Sequence, residues 1–426
     1  MSLNPRHIAT PPTYKKTVLP NGIRIVTEEL THVRSITVGA WMDVGSRHED
    51  DRTNGISHFL EHMVFKGTEK LSIQGIAHSL ESVGGYLNAF TTKEHTCFYA
   101  RILDEHLDRA LSVLSQLTQH PTFPAKELEK EKQVVIEEIK TIDDDPDDLI
   151  HDYFDKALYR RHPLALPVIG TVDNISALNR DVLMGHLEEH YAPERTVITA
   201  AGNLTHEQVV MLVDKYFTAP RRKVKPRVNP PTPRLRPGTK ETYDKPIMQA
   251  HVCLGTIGYG VKSPHRYPLL VMNTLLGDGM SSRLFQNIRE KYGFAYSVYS
   301  FTNTMSDTGN FGVYIGTDKD KVEKSIGLIF KELEKLAGTP VKASELSRAK
   351  AQVKGSMMLS LENTSNRMMR LGSNELFYNK FYPVDEIIRK IDAVTVEEVH
   401  AVAAQLLKPE MFSTVVISPS GSSTKN

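Results

Sequence analysis

The chain repeats itself, and that constrains its fold more than any other feature. Residues 175–204 (ISALNRDVLMGHLEEHYAPERTVITAAGNL) align with residues 391–421 (IDAVTVEEVHAVAAQLLKPEMFSTVVISPSG) at an offset of 216, with Ile175 opposite Ile391 and Pro193 opposite Pro409. Both stretches read as a helix, a proline break, a β-rich run and a small-residue turn. Residues 34–46 (RSITVGAWMDVGS) resemble residues 249–261 (QAHVCLGTIGYGV), placing Gly39 opposite Gly255. AKELEKEK from Ala125 matches ASELSRAK from Ala343 at an offset of 218. Each half opens with strands of period two, such as GIRIVTEEL and SITVGAWMDV, continues with amphipathic helices, and closes on a helix and a strand. That order indicates an α+β fold of two duplicated α/β-sandwich halves, each a mainly antiparallel sheet packed with helices.

Between the halves lies APRRKVKPRVNPPTPRLRPGTK (219–240), with six prolines, eight Lys or Arg and no acidic residue. Proline removes backbone donors and favours extended chain, so the segment reads as a solvated linker; a basic strip for an acidic partner is the sharper alternative. The division expected is therefore 1–218, a linker at 219–240, and 241–426. The 52 Lys and Arg are balanced by 51 Asp and Glu, which lacks the basic excess of a dedicated nucleic-acid binder. The longest charge-free stretches, 110–125 and 246–261, fall short of the ~18 apolar residues of a membrane span. Two cysteines, Cys97 and Cys253, make neither a disulfide framework nor a thiolate cage. With no secretory pattern in the first thirty residues, a cytoplasmic protein is expected.

The chemistry concentrates in TNGISHFLEHMVFKGT (53–68), a helix with a capping-type start and a glycine stop at Gly67. Ile56, Phe59, Leu60, Met63 and Val64 form one apolar face, while His58, Glu61, His62 and Phe65 share a second. Two imidazoles one turn apart can ligate one Zn²⁺, and Glu61 is placed to act as general base on a water held there. The pattern is H-x-x-E-H. A second copy occurs at His186, Glu189 and His190. It lies opposite Val402 and Leu406 in the repeat, and no carboxylate stands between Asp244 and Asp278 to complete it, so it reads as two core or rim histidines. For the first copy a downstream helix, ELEKEKQVVIEEIK (127–140), offers Glu131, Glu137 and Glu138 as a third ligand, and the residues alone leave that choice open.

HFLEHMVFKGT followed by VVIEEI resembles the inverzincin peptidases of the pitrilysin and mitochondrial processing peptidase family, and the resemblance spans nearly the whole chain. In that family the third ligand follows the second histidine after about 76 residues, which implies Glu138, with Glu131 supporting the site and Glu137 on the solvated side. The resemblance further implies that Arg289 and Tyr296, in SSRLFQNIREKYGFAYSVYS (281–300), complete the active site from the second half by holding the scissile carbonyl. At the repeat offsets His58, Glu61 and His62 face Thr274, Gly277 and Asp278, and Glu138 faces Ser356, so one zinc per chain is implied.

GGYLNAFTTKEHTCFYA (84–100) alternates like a strand and resembles the family's edge strand, where Asn88 and Ala89 would pair with an extended peptide. Phe65 and Phe90 would line an apolar pocket beside the metal, or simply pack in the core. The run TIDDDPDDLIHD (141–152) reads as a solvated acidic turn, but Asp148 and Asp152 match positions that contact a substrate arginine in processing-peptidase relatives. The resulting expectation is a zinc metalloendopeptidase acting on extended peptides, working as a homodimer or beside a homologous subunit, with Arg289 and Tyr296 able to act on a partner's zinc. The rival expectations are a structural subunit of the same family and a module that binds basic peptides around a structural zinc. Both are disfavoured by the retention of the whole metal set together with an adjacent glutamate and only three protein ligands.

Overall fold

The computed structural model describes residues 13–221 and 230–420. Of the Pro- and Arg-rich segment, residues 222–229 lie outside the described residues. The strands are β1 (Thr13–Val18), β2 (Arg24–Glu29), β3 (Ser35–Met42), β4 (Tyr86–Thr91), β5 (Thr96–Leu103), β6 (Thr196–Gly202), β7 (Lys240–Lys245), β8 (Ala250–Gly258), β9 (Ala295–Thr304), β10 (Gly309–Thr317) and β11 (Ser413–Pro419). The helices are α1 (Ile56–Val64), α2 (Ile73–Glu81), α3 (Leu107–Gln119), α4 (Ala125–Asp144), α5 (Pro146–Tyr159), α6 (Val172–Ala177), α7 (Arg180–His190), α8 (His206–Tyr216), α9 (Arg266–Gly277), α10 (Val322–Gly338), α11 (Ala343–Ser360), α12 (Thr364–Tyr378), α13 (Val384–Ala393) and α14 (Val396–Leu406). Among the described residues no helix is long and apolar enough to cross a membrane.

The duplication read from the sequence is written in the sheets. The first has the order β1-β2-β6-β3-β5-β4 and the second β7-β11-β8-β10-β9. In each, one pair is parallel (β2 with β6, β7 with β11) and the others are antiparallel. Helices α7 and α14 begin and end at the repeat spacing, as Arg180–His190 and Val396–Leu406. Each is capped by a polar side chain, Asn179 accepting from Val182 N–H and Thr395 from Glu398 N–H.

The chain divides into two compact units whose boundaries differ from the sequence halves. One comprises residues 13–136, 168–221 and 360–381, and the other 137–167, 230–359 and 382–420. Each half thus contributes one helix to the unit built mainly by the other: α12 packs on β2, β3 and β6, and α5 on β8 and β11. The strand pattern explains why. Ile36, Val38 and Ala40 of β3 turn to the face covered by α3, while Thr37, Gly39 and Trp41 turn to α12, so both faces are buried. A Cβ on Gly39 would sit 2.6 Å from Met368 Sδ of α12, and one on Gly255 would sit 2.8 Å from Phe154 Cζ of α5. The paired glycines of the repeat are therefore seats for the two exchanged helices. Around them lie Val26, Trp41, Cys97, Val197, Ala201, Met368 and Leu371 in one unit, and Leu149, Ile150, Phe154, Cys253, Tyr314 and Val415 in the other.

The described parts of the linker segment, 219–221 and 230–239, form no helix or strand but are held at several points. Arg160 donates to Pro237 O (3.0 Å), Thr232 to Asp307 (2.7 Å) and Gly238 N–H to Glu410 O (2.9 Å).

Because Met368 fills the hollow left by Gly39, Met368→Ala should lower stability by about 2–5 kcal/mol in denaturant unfolding. The exposed Met358→Ala should change it by less than about 0.5 kcal/mol.

Candidate metal centre

Helix α1 buries Ile56, Ser57, Phe59, Leu60, Met63 and Val64 and leaves His58, Glu61 and His62 half-buried on the other side. Its start is not the capping residue expected near Thr53. The N-cap is Gly55 in the left-handed region, and the cap is the carboxylate of Glu49. That side chain accepts from Gly55 N–H (2.8 Å), Ser57 N–H (2.9 Å) and the Asn54 amide (3.1 Å). Burial pushes the Glu49 carboxyl up despite those donors. Glu49 stands six positions before Gly55, outside the usual capping spacing, so no sequence signal marked it. The helix ends at Val64, and Gly67 shapes the turn that follows.

Opposite stands α4, an unbroken helix on which residues 131 and 138 lie two turns apart on one side. Glu131 is buried; its Oε1 accepts from His62 Nδ1 at 3.0 Å and its Oε2 meets Lys66 Nζ at 2.7 Å. Burial opposes the Glu131 charge, but the hydrogen bonds from His62 and Lys66 outweigh it and hold the carboxyl below its ordinary range. An ionised carboxylate only accepts, so His62 Nδ1 is the donor and Nε2 is the ring atom left to face a metal. Glu138 lies on the continuation of this same unbroken helix. Glu137 points away, with its side chain 69% exposed and paired with Lys140 (2.7 Å).

Ligand atoms of His58, His62 and Glu138 all lie within 4.8 Å of one another, the one such group of three among the described residues. The His58 and His62 ring centroids are 4.7 Å apart. Burial, then the neighbouring His62, pulls His58 down to about 3, so its ring is neutral in ordinary solution and offers a lone pair. Two imidazoles and one carboxylate are the donor set of a three-ligand zinc site that keeps a fourth position open, and the residues fit that metal. Glu61 sits between the two histidines in sequence, and its Oε2 accepts from Thr91 Oγ1 at 2.5 Å. The second H-x-x-E-H on α7 gathers no such group among the described residues. His186 and His190 are half-buried with rings 4.5 Å apart; His186 meets Ser57 Oγ at 3.3 Å and His190 meets Arg195 at 3.1 Å. His186 thus packs against α1, and His190 against the turn after α7.

Residues 84–100 form a hairpin rather than one strand, closed by Thr92, whose hydroxyl donates to His95 O (2.9 Å) and accepts from His95 N–H (3.1 Å). Strand β4 is at the sheet edge, and Ala89 N–H there donates to Asn88 Oδ1 (2.8 Å). Phe65 and Phe90 do not meet. Phe90 packs edge-on against Trp41 (5.6 Å) on the α12 face, whereas Thr91, the next residue, faces Glu61 and Phe65 lies near Phe98 (6.3 Å). The two rings cannot line one pocket.

In the second unit, Arg289 lies in a π-helical turn (Phe285–Glu290), and its guanidinium carbon is 5.9 Å from the ring of Tyr296, which is 78% exposed on β9. The acidic run is no turn. It ends α4 and starts α5, with Asp145 as N-cap accepting from Asp147 N–H (3.0 Å), Pro146 in the first turn, and Asp147 and Asp148 beside the positive end of the helix. Asp148 is exposed, and Asp152 lines a cavity of about 280 Å³ with His151, Asp155, Tyr299, Phe301 and Asn303.

Comparison with known proteins adds the following. Residues 24–172 match the model of insulinase (peptidase family M16), and residues 177–353 match that of the peptidase M16 inactive domain. A Bacillus subtilis protein called an uncharacterized zinc protease is 44% identical over 96% of this chain and 98% of its own length. One from Streptomyces coelicolor with the same designation is 40% identical over 93% of this chain and 87% of its own. Among solved structures, a protease from Helicobacter pylori superposes with a TM-score of 0.89 at 24% identity, covering 96% of this chain and all of that one. A Pseudomonas fluorescens peptidase M16 inactive domain gives 0.89 at 21%, covering 96% and 98%. At those identities the two structures speak to the fold alone.

Replacing Glu49 strands three donors at the start of α1, so Glu49→Leu should lower unfolding stability by about 2 kcal/mol or more, measured in denaturant, and should weaken zinc retention in dialysis.

Proposed function

The chain belongs to the insulinase family of peptidases, family M16, and we propose that it is a zinc-dependent endopeptidase cleaving extended or unfolded peptides. The observation that carries this reading is the convergence of His58, His62 and Glu138 donor atoms within 4.8 Å beside Glu61. Zinc bound there would supply Lewis-acid polarisation of the scissile carbonyl and the attacking water. Glu61 takes a proton from that water at its carboxylate and delivers it to the leaving amine. Glu131 holds His62 through Nδ1, fixing ring and tautomer, and Lys66 keeps that carboxylate ionised. Arg289 and Tyr296 are assigned to the carbonyl oxygen, which gains negative charge as the bond breaks. Asn88 and Ala89 on the β4 edge are assigned to the peptide main chain, a mode that reads backbone more than sequence. Asp148 and Asp152 would favour basic side chains. The working form is read as a homodimer, or a pair with a homologous subunit, in the cytoplasm, consistent with two buried free thiols.

Purified protein given an unfolded peptide mixture, with and without chelator, should produce cuts by mass spectrometry only in the metal-loaded sample. Glu61→Gln should reduce the rate at least about a hundredfold while keeping about one zinc per chain, because Glu61 is no ligand. Glu138→Gln should lose the metal and Glu137→Gln should not; equal zinc in both would overturn the ligand assignment. Asp148→Asn with Asp152→Asn should slow cleavage of Arg-containing peptides selectively, and equal slowing of neutral peptides would reject the acidic pair.

A further inference from the structure

We infer that Thr91 is a positioning residue for Glu61: its hydroxyl, anchored in the β4–β5 hairpin, holds one carboxylate oxygen and so fixes how that carboxylate lies toward the substrate. The inference rests on the reading of Glu61 as general base and deepens it. Glu61 sits on a helix and could turn about its last bonds, because a two-methylene side chain has no fixed carboxylate plane of its own. The Thr91 Oγ1 to Glu61 Oε2 distance is 2.5 Å, and an ionised carboxylate only accepts, so Thr91 donates.

That donor is itself held. Thr91 is paired directly across the ladder with Thr96, so both side chains leave the sheet on the α1 face, with hydroxyls 3.3 Å apart. Thr96 is fully buried and donates to Val44 O at 3.1 Å. With its single proton given to a carbonyl, Thr96 can only accept from Thr91. The one Thr91 proton therefore has two acceptors and goes to the nearer, charged one, Glu61 Oε2 at 2.5 Å, over the Thr96 oxygen at 3.3 Å. A β-branched residue has a stiff χ1, which suits threonine to this task at both positions. The pair forms a short polar relay set into an otherwise apolar layer: Phe98 is buried on the same face and Cys97 on the opposite one. The buried Tyr191 lies near Glu61: burial, then the Glu61 charge, pushes its phenol well up.

Thr91→Val keeps the shape and removes the donor; Thr91→Ser keeps the donor and loosens the rotamer. The expected result for Thr91→Val is a fall in kcat of about ten- to a hundredfold with KM within about twofold and zinc content unchanged, since a hydrogen bond to a charged group is lost. Thr91→Ser should recover kcat to within about threefold of the parent. Melting temperature is measured on all variants, and a Thr91→Val protein that has lost zinc or raised KM in step with kcat would overturn the positioning role in favour of a structural one. Glu61→Gln is run beside them. An active Glu61→Gln enzyme sinks the general-base reading itself, whereas an inactive Glu61→Gln with a fully active Thr91→Val sinks only the role of Thr91.

Discussion

The site depends on a single buried carboxylate between two helices. Glu131 of α4 gives one oxygen to His62 on α1 and the other to Lys66 in the turn that follows the helix. The two bonds tie α1 and the turn after it to one point on α4. Burial alone would make such a carboxylate costly, and its two donors more than offset that cost. Once the helices are registered, Glu138 follows from helical geometry, two turns along from Glu131. One clamp therefore orients an imidazole and delivers the third donor.

A second dependence runs through the exchanged helices. A sheet buried on both faces needs cover on both, and in each unit one cover comes from the other half of the sequence. Gly39 and Gly255 let those covers sit down on the strands, with Met368 and Phe154 in the spaces a side chain would have taken. The duplicated halves are consequently not independent in stability terms. Helix α4, bearing Glu138, runs almost directly into α5, the helix lent to the second sheet, with only Asp145 between them.

Where the sequence reading departed from the structure, the causes are local. The acidic run looked like solvated turn because its charge density is high, but acidic residues also belong in the first turn of a helix, where they meet the helix dipole. Residues 84–100 looked like one strand because alternation marks both flanks and no glycine or proline stands between them; the turn is made by Thr92 and His95 hydrogen bonds instead. For Phe65 and Phe90 the sequence left pocket lining and core packing both open. Strand parity puts Phe90 on the far face.

The amino-acid sequence by itself determined the duplication, the order of strands, helices and a closing helix and strand in each half, and the shared face of His58, Glu61 and His62, because each depends only on spacing along the chain. It left Glu137 and Glu138 as equal candidates, since adjacent helical residues differ only by a rotation of about 100° whose zero is set by what the helix packs on. The cap on α1, the clamp on His62, the hold on Glu61 and the exchange of α5 and α12 belong to the tertiary structure. Glu49, Glu131, Thr91 and Met368 act across gaps in sequence, and only packing decides which of many polar and apolar side chains ends within bonding distance of a given atom.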